Sequence, residues 1–322
     1  IVGCVYMTDH DTAQGGLIES LQRTILGITL LLEIIVVIFS VAFSNTFSRR
    51  LNRIVASMRI IREGDYSHKV NMGGNDELTI LGNEFNELTE RLQTSEQKRS
   101  RFVSDASHEL KTPLTSISGF AELMSQGLVP EDKVREFSRD IQKECVRLTN
   151  LVEDIMDLSR MEEGGEMEWE GVDLYALCDE VLQSLMPVAN KQEISLHLAG
   201  DEQTVRGVRQ VLHEMIYNLC DNAIKYNRHG GSVTVTGGES GHRALVTVKD
   251  TGIGIPYDHQ SRVFERFYRV DKSHSRAIGG TGLGLSIVKH AAALHDAEVK
   301  LQSQPEQGTV ITVLFHGNEQ NM

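Results

Sequence analysis

The sequence contains little tryptophan, proline or cysteine, and these shortages exclude several classes of protein. Its 322 residues include one Trp, five Pro and four Cys. So few prolines exclude a collagen-like or proline-rich chain. The cysteines are Cys4, Cys145, Cys178 and Cys220, and no two of them have CxxC spacing. They predict neither a zinc site nor a disulfide framework, and we expect them to be small hydrophobic side chains in a reducing compartment.

Basic side chains are also scarce relative to acidic ones. The 32 Lys and Arg residues are outnumbered by 45 Asp and Glu residues, which leaves a formal net charge of −13. Direct binding to nucleic acid requires a basic surface that neutralises the phosphates, so we expect no nucleic-acid partner. A chain of this length, with 40% hydrophobic residues, is long enough for two or three domains with at least one sizeable core.

One long apolar run predicts a transmembrane helix over residues 24–44. The run from Ile25 to Phe43 is almost wholly apolar, and a helix of that length extends about 28 Å, enough to cross a bilayer core. The alternative is a buried helix of a soluble core. The arginines that follow the run are Arg49, Arg50, Arg53, Arg59 and Arg62. The length of the run favours a membrane span. The excess of arginines after it, by the positive-inside rule, places residues 45–322 in the cytoplasm.

Two further expectations concern the membrane region. The sequence begins with Ile1 rather than Met, so we interpret residues 1–23 as the end of a truncated extracytoplasmic sensor region, with a closing strand at residues 1–7. Glu33 lies inside the apolar run, where a charged carboxylate costs about 3 kcal/mol on insertion scales. Two interpretations stay open for Glu33. It contacts another transmembrane helix or responds to the signal, or it is a protonated carboxyl that faces a neighbouring helix.

Two seams of apolar residues, spaced alternately by three and four, follow the apolar run. They are Leu51, Ile54, Met58 and Ile61, and then Leu78, Leu81, Phe85, Leu88 and Leu92. This spacing is typical of the a/d seam of a coiled coil, and the connector at residues 63–75 interrupts it with glycines. Two such helices from each of two chains predict a parallel four-helix coil over residues 45–97.

This region resembles the HAMP signal-relay module. The resemblance rests on Gly-Asp-Tyr at residues 64–66 of the connector and on Asp-Glu-Leu at residues 76–78, where the second helix opens. Many relatives have Pro-Leu early in the first helix, whereas this chain has Arg50 before Leu51. The resemblance to the module stands despite this departure, but the geometry of the first helix need not match that of those relatives.

Two longer helices are predicted next, at residues 96–126 and 131–160, with a turn between them. The acidic pair at residues 131–132 is expected in the first turn of the second helix. Two antiparallel helices cannot bury their apolar stripes alone, so we expect a dimeric antiparallel four-helix bundle over residues 98–160.

Mixed helices and short strands follow a linker at residues 161–170. The predicted strands are 194–198, 232–236, 244–249, 298–302 and 309–315, and the predicted helices are 174–190, 207–226 and 283–295. This pattern predicts an α/β sandwich over residues 171–317. The expected fold class is therefore multidomain, with a transmembrane helix, a parallel coiled coil, a four-helix bundle and an α/β sandwich.

His108 is the candidate nucleophile of the first long helix. Thr112 lies four residues after His108 and so shares its face, whereas the adjacent Glu109 does not. Pro113 cannot donate to the carbonyl of Glu109 and crowds it, so we expect a kink one turn after the histidine. Taken alone, this motif leaves open a satisfied surface histidine with no chemical role.

A second candidate site lies on the helix predicted at residues 207–226. Asn218 and Asn222 are four residues apart, so their amide oxygens point the same way. Neutral oxygen ligands suit Mg²⁺ that carries nucleotide phosphates, and Lys225 lies within reach of those phosphates. The alternative is a polar surface helix.

Two glycine-rich segments complete the set of candidate sites. Asp250 can accept from an exocyclic amine such as that of adenine, and Gly252 and Gly254 let the backbone approach a flat ligand. The second segment contains Gly280, Gly282, Leu283 and Gly284. It opens a helix, where glycine amides cradle phosphate. Residues 264–279 are a candidate mobile lid over the nucleotide. Neither segment fits the P-loop or the Rossmann fingerprint.

In their order and spacing, these motifs resemble the H, N, G1, F and G2 boxes of bacterial sensor histidine kinases of two-component systems. The resemblance covers residues 24–317. It implies an ATP-dependent homodimeric kinase of the bacterial cytoplasmic membrane. The kinase would phosphorylate His108 and pass the phosphoryl group to an aspartate of a response regulator receiver domain.

The resemblance also implies roles for individual residues. Glu109 assists His108 as acid and base, Thr112 helps to dephosphorylate the partner, and Arg269 acts on the γ-phosphate. ATP and Mg²⁺ are the implied cofactors. The residues implied to hold them are Asn218 and Asn222 for Mg²⁺ and phosphates, Lys225 and Tyr226 for ATP, and Asp250 for adenine.

Two other functions are alternatives to the kinase. An ATP-hydrolysing relative of DNA gyrase, Hsp90 and MutL would place a glutamate four residues before the metal-binding Asn222. That position is Asn218, and an amide cannot act as a general base. A scaffold that binds ATP without transferring phosphate is disfavoured by the intact His108 and Asp250.

Overall fold

The structure is a computed structural model that describes residues 3–4, 12–163, 167–241, 243–271 and 280–316. It consists of two compact units, Ile1–Ser100 and Arg101–Met322. The strand expected at residues 1–7 lies largely outside the described residues, and so does the second half, 272–279, of the lid expected at residues 264–279.

Helix α1, Thr12–Arg62, is longer than the separate segments that the sequence predicts. It joins the apolar run and the first coiled-coil seam without a break, because neither contains a proline. Among the described residues it is the one helix whose length and composition would allow it to cross a membrane. The side chains of its apolar stretch are exposed. Helix α2, Glu77–Ser125, likewise joins the second seam to the first long helix that was predicted.

The connector between α1 and α2 packs on the first unit's small core. Ile54 of α1 is buried with Val70 and Met72 of the connector, against Leu78 and Phe85 of α2. These apolar contacts, contributed by both helices, hold the connector beside them.

Arg50 ties α1 to the start of α2. It pairs with Asp76, and it donates to the Gly73 carbonyl at 2.9 Å and to Thr79 Oγ1 at 3.0 Å. Hydrogen bonds from Arg50 and Thr79 lower the pKa of Asp76 to about 2. The arginine that departs from the HAMP pattern therefore makes specific contacts.

In the second unit, a helical hairpin precedes the sandwich. A 3₁₀ turn, Glu131–Lys133, lies before α3, Val134–Glu163. The acidic pair expected in the first turn of the second helix therefore occupies a separate 3₁₀ turn, since Pro130 fixes the entry to it. Pro113 lies buried inside α2 without ending the helix.

The sandwich comprises four helices and seven strands among its described residues. They are β1 Glu170–Asp173, α4 Leu174–Lys191, β2 Ser195–Gly200, β3 Thr204–Gly207, α5 Arg209–Lys225, β4 Ser232–Ser240, β5 Arg243–Asp250, α6 Tyr257–Gln260, α7 Gly284–Leu294, β6 Ala297–Gln304 and β7 Gly308–Phe315. The main sheet has the order β2-β4-β5-β7-β6, and β1 pairs with β3 in a second, two-stranded sheet. All five predicted strands belong to the main sheet. Strands β1 and β3, four residues each, were not predicted from the sequence.

The core of the sandwich lies between the main sheet and helices α4, α5 and α7. In β4, Val233 and Val235 are fully buried while the alternating threonines are not, as a strand with one covered face requires. Asp173 begins α4 as its N-cap and accepts from the amides of Tyr175 and Ala176, which satisfies two donors of the first turn. The α/β sandwich predicted from the sequence is confirmed.

Candidate functional site

A cavity of 910 Å³ lies between the sandwich and α3. Its size is in the range of pockets that enclose ligands. Predicted site residues that line it are Asn218, Asn222, Lys225, Tyr226, Asp250, Gly254, Arg269, Gly280, Gly282 and Gly284. Predicted site residues outside its lining are His108, Glu109, Thr112, Gly252 and Leu283. The structure thus brings most of the predicted nucleotide-binding residues to one cavity, with the histidine outside it.

Asp250 ends β5 at one side of the cavity. Its Oδ1 accepts from the amides of Gly252 at 2.8 Å and Thr309 at 3.1 Å, so the carboxyl is held in one orientation. Burial raises the pKa of Asp250. A Cβ atom added at Gly252 would lie 2.3 Å from the Tyr226 carbonyl oxygen, which explains why this turn requires glycine.

The two asparagines lie one turn apart on α5, as expected. Asn218 Nδ2 donates to the Glu214 carbonyl at 2.9 Å, so its Oδ1 is left to face the start of α7. A Cβ atom added at Gly284 would lie 2.6 Å from that oxygen. Lys225 forms an ion pair with Asp221 at 2.6 Å, which holds its ammonium at the cavity.

These groups fit ATP and a hard cation such as Mg²⁺. The asparagine side chains offer neutral oxygens, which such cations accept as ligands. In the described part of the chain, no three His, Cys, Asp or Glu side chains cluster as a metal site. Nucleotide phosphates usually complete the coordination of Mg²⁺ in proteins, and the asparagine oxygens fit such a shared arrangement.

The segment before α7 is shaped around Thr281 and Gly282. Gly282 has a φ of +78°, and a Cβ atom there would lie 2.9 Å from the Phe267 carbonyl carbon. The Leu283 amide donates to Thr281 Oγ1 at 3.3 Å. Glycine is required because the backbone turns through a left-handed conformation against a neighbouring segment.

Helix α3 contributes a residue that the sequence analysis missed. Thr281 donates its hydroxyl to Asp154 Oδ2 at 2.6 Å. Burial raises the pKa of Asp154 to about 6. Asn150, Glu153, Asp157 and Arg160 of α3 also line the cavity. No local motif marks Asp154, because its partner is 127 residues away.

Arg269 connects the cavity to the neighbour of His108. Its side chain is 5% exposed, and Nη2 donates to the Thr281 carbonyl at 2.9 Å and to Glu109 Oε2 at 3.2 Å. The same carboxylate oxygen lies 3.5 Å from Nη2 of Arg147 on α3. His108 itself is exposed. Arg147 was not singled out from the sequence.

Thr112 lies one turn after His108 on α2, as its spacing in the sequence predicts. Thr112 Oγ1 donates to the His108 carbonyl at 3.2 Å, one turn along α2, and its side chain is exposed. The threonine is therefore accessible beside the histidine, although it is not among the residues that line the cavity.

The first part of the expected lid packs on the helical hairpin. The Phe267 ring stacks on Phe102 of α2 with centroids 5.9 Å apart, and Arg266 lies 4.8 Å above the Phe102 ring. Arg266 also pairs with Glu162 of α3, and it lies 3.1 Å from His290 Nε2. Residues 272–279, the rest of that expected lid, lie outside the described residues.

Family profiles match three segments of the chain. The HAMP domain matches residues 42–94, and the His Kinase A (phospho-acceptor) domain matches residues 98–164. The histidine kinase-, DNA gyrase B- and HSP90-like ATPase matches residues 207–318. The expected modules therefore occur in the expected order.

Two similar solved structures show the same fold. Histidine kinase AdeS of Acinetobacter baumannii has a TM-score of 0.55 at 22% identity, over 66% of this chain and 98% of that one. Histidine kinase ThkA, solved in complex with response regulator protein TrrA, also has a TM-score of 0.55 at 22% identity, over 70% of this chain and 65% of that one.

Curated relatives are similar to this chain over nearly its whole length. Signal transduction histidine-protein kinase ArlS of Staphylococcus aureus is 30% identical over 93% of this chain and 67% of ArlS. Sensor histidine kinase YkoH of Bacillus subtilis is 34% identical over 98% of this chain and 72% of YkoH. With that extent of identity, and with the three domains in order, the chain belongs to the bacterial two-component sensor histidine kinases, which phosphorylate a histidine of their own from ATP.

Proposed function

We propose that His108 is the histidine that accepts the γ-phosphoryl group of ATP, and that ATP binds in the 910 Å³ cavity. The observation that carries this proposal is the position of Arg269. Its guanidinium lines the cavity and donates to Glu109, the residue next to His108. A cation between the cavity and the histidine can neutralise the charge that the transferring phosphoryl group carries.

In the transfer, the lone pair of one His108 ring nitrogen attacks the γ-phosphorus. The nitrogen–phosphorus bond forms as the bond to the bridging oxygen breaks, and ADP leaves with that electron pair. The proton on the other ring nitrogen passes to the Glu109 carboxylate, which raises the nucleophilicity of the imidazole. A histidine is suited to this role because it is substantially neutral at physiological pH.

The cavity residues bind and orient the nucleotide. Asp250 accepts from the exocyclic amine of adenine, and Gly252 and Gly254 let the backbone approach the ring. Amides at the start of α7 donate to the phosphates, as helix N-termini do. Tyr226 is assigned to ATP, and the residues assigned to the phosphates and their counterion are Asn218, Asn222, Lys225, Gly280, Gly282, Leu283 and Gly284. Mg²⁺, when bound by Asn218 and Asn222, supplies charge neutralisation on the phosphates.

The phosphoryl group then moves from His108 to an aspartate of a response regulator receiver domain. The ThkA–TrrA complex is a complex of that kind for another histidine kinase. The exposed Thr112, one turn from the histidine, is proposed to help dephosphorylate the same partner.

The assembly proposed is a homodimer held in the cytoplasmic membrane by α1, with residues 45–322 in the cytoplasm. The exposed apolar stretch of α1 supports the membrane anchor. Exposed apolar side chains of the hairpin, such as Leu114, Leu123 and Val146, support a second copy that completes a four-helix bundle.

Labelling with γ-³²P ATP tests the proposal. We expect His108→Gln to abolish incorporation and to leave nucleotide affinity unchanged, because the histidine lies outside the cavity lining. The label on the wild type should be acid-labile, as a phosphorus–nitrogen bond is. Labelling that survives in His108→Gln, or that resists acid, contradicts the assignment.

A further inference from the structure

The part of α1 that follows its apolar stretch is strongly basic. Residues 34–62 contain five arginines and no Asp or Glu. Helix α1 extends without a break from Thr12 to Arg62, so the rise of the helix sets the distance of each arginine from the apolar stretch. These arginines therefore lie at fixed distances from any membrane that the apolar stretch enters.

One of these arginines is already paired inside the protein. Arg50 forms an ion pair with Asp76, and its side chain is 22% exposed. The residues Arg49 and Arg53 are exposed, and within the described part of the chain neither pairs with an acidic side chain. Their charges remain available to a partner outside the protein.

Arg49 and Arg53 share one face of α1, one turn apart. They lie about 9 and 15 Å along the helix axis beyond Phe43, the end of the apolar run. Helical side chains point back toward the N-terminus, which here is toward the apolar stretch. A headgroup layer is about 6 Å deep, and at physiological salt its field extends about 8 Å further, so both guanidinium groups reach it. Arg59 and Arg62, about 24 and 28 Å beyond Phe43, do not.

An aromatic contact at the end of the apolar stretch shortens these distances further. Phe47 stacks on Phe43 with ring centroids 6.1 Å apart, and its side chain is exposed. Burying this ring in the bilayer is favourable and moves the membrane boundary one turn along α1. Arg53 then lies about 9 Å from the boundary, whereas Arg59 is still about 18 Å away.

The opposite end of the apolar stretch lacks such a surface. Arg23, two residues before the run that begins at Ile25, forms an ion pair with Glu19 at 2.9 Å. The two opposite charges largely cancel at the distance of a lipid headgroup. Attraction of anionic lipid is therefore confined to the end of the stretch where Arg49 and Arg53 lie.

We propose that Arg49 and Arg53 form a binding surface for the headgroups of anionic phospholipids, while Arg50 is reserved for Asp76 at the start of α2. The proposal rests on the membrane anchor proposed above and adds the class of lipid that the anchor selects. Each guanidinium presents several donors to phosphate oxygens. Ile54, the residue after Arg53, is buried against the connector, so headgroups that hold Arg53 also fix the distance of that core from the membrane.

Fluorescence quenching by brominated lipids tests the surface in the complete chain. Trp169→Phe removes the one natural tryptophan, and Phe43→Trp adds a reporter at the end of the apolar stretch. The protein is reconstituted in vesicles of phosphatidylcholine and phosphatidylglycerol, in which one lipid or the other is brominated. We expect phosphatidylglycerol to be preferred at the reporter by at least about fivefold.

Removing the charges should remove the preference. In the reporter background, Arg49→Gln combined with Arg53→Gln should lower the preference for phosphatidylglycerol to about one. Raising the salt concentration to about 1 M, where the screening length is about 3 Å, should also lower it, because the attraction is electrostatic.

The chain offers two matched controls. Arg59→Gln combined with Arg62→Gln removes the same charge from the same helix, but from beyond the reach of the headgroups, and should leave the preference unchanged. Ile25→Trp, used in place of Phe43→Trp, reports on the end of the stretch near Arg23 and should show no preference.

The outcomes separate the lipid surface from the membrane anchor on which it rests. If neither brominated lipid quenches the Phe43→Trp reporter, α1 does not enter the bilayer, and the anchor and the lipid surface both fail. Quenching without a preference for phosphatidylglycerol overturns the lipid surface alone. An equal loss of preference in the Arg59→Gln, Arg62→Gln variant, or an equal preference at both ends of the stretch, overturns the assignment to Arg49 and Arg53. Labelling of His108 in the same vesicles checks the proposed kinase activity independently.

Discussion

Arg269 and Glu109 are hydrogen-bonded at 3.2 Å although 160 residues separate them along the chain. The arginine is 5% exposed and lines the nucleotide cavity, and the glutamate follows the histidine that we propose as phosphate acceptor. One contact thus joins the ATP-binding domain to the histidine helix.

Asp250→Asn is expected to weaken ATP binding. The carboxyl is held by the amides of Gly252 and Thr309, so the amide should fit the same place but present a weaker, uncharged acceptor to adenine. We expect the Kd for ATP, measured by calorimetry on the complete chain, to rise about tenfold. Asp201→Asn, an exposed change in the same domain, is the matched control. Equal affinities for wild type and Asp250→Asn would argue against adenine recognition by this carboxyl.

Thr112→Ala should separate the two activities toward the partner. Because the Thr112 hydroxyl is exposed and outside the cavity lining, His108 labelling should be unchanged, while dephosphorylation of the receiver domain slows. Thr115→Ala is the matched control, since Thr115 makes the same hydrogen bond to the carbonyl one turn back. A dephosphorylation rate in Thr112→Ala equal to that of the wild type refutes the role.

His295 is expected to make folding of the sandwich sensitive to acid. Its Nε2 accepts from the Val208 amide at 3.0 Å and its Nδ1 lies 2.7 Å from the Ala291 carbonyl, so the buried ring is neutral. Burial lowers the pKa of His295. Between that lowered value and the unfolded value of about 6.5, the unfolded chain binds more protons, so stability falls as pH falls below about 6.5.

Thermal unfolding of wild type and His295→Gln at several values between pH 5 and 8 measures this effect. The variant lacks the titrating ring, so the difference in Tm between the two proteins should shrink as the pH is lowered. His290, whose pKa burial also lowers, is present in both and cancels in the difference. A Tm difference that does not change with pH would show that His295 has no such effect.

Arg50 is expected to stabilise the start of α2. Its contacts reach Asp76, the Gly73 carbonyl and Thr79, so Arg50→Ala should speed hydrogen exchange of the Thr79 amide, which donates to Asp76. Arg53→Ala, an exposed arginine on the same helix, should not. The double variant Arg50→Ala with Asp76→Ala tests whether the two side chains act together. If its effect on the exchange of the Thr79 amide equals the sum of the effects of the two single variants, they act independently.

Much of the architecture could be predicted because it depends on local patterns. The five strands of the main sheet follow from alternating residues such as Val233 and Val235, and the asparagine pair follows from helical spacing. The positions at which one predicted helix ends and the next begins could not be predicted from local patterns. Residues 45–50 and 93–95 continue as helix in α1 and α2, because no proline interrupts those stretches. The short strands β1 and β3 carry too few residues for a recognisable alternation.

The sequence by itself determined the order of the domains, the candidate phosphate acceptor His108 and most of the cavity lining, because each depends on residues close together in the chain. Only the tertiary structure decided the partners of those residues. Asp154 meets Thr281 across 127 residues and Arg269 meets Glu109 across 160. Such contacts depend on how folded elements pack, and neither helical nor strand periodicity extends over those distances.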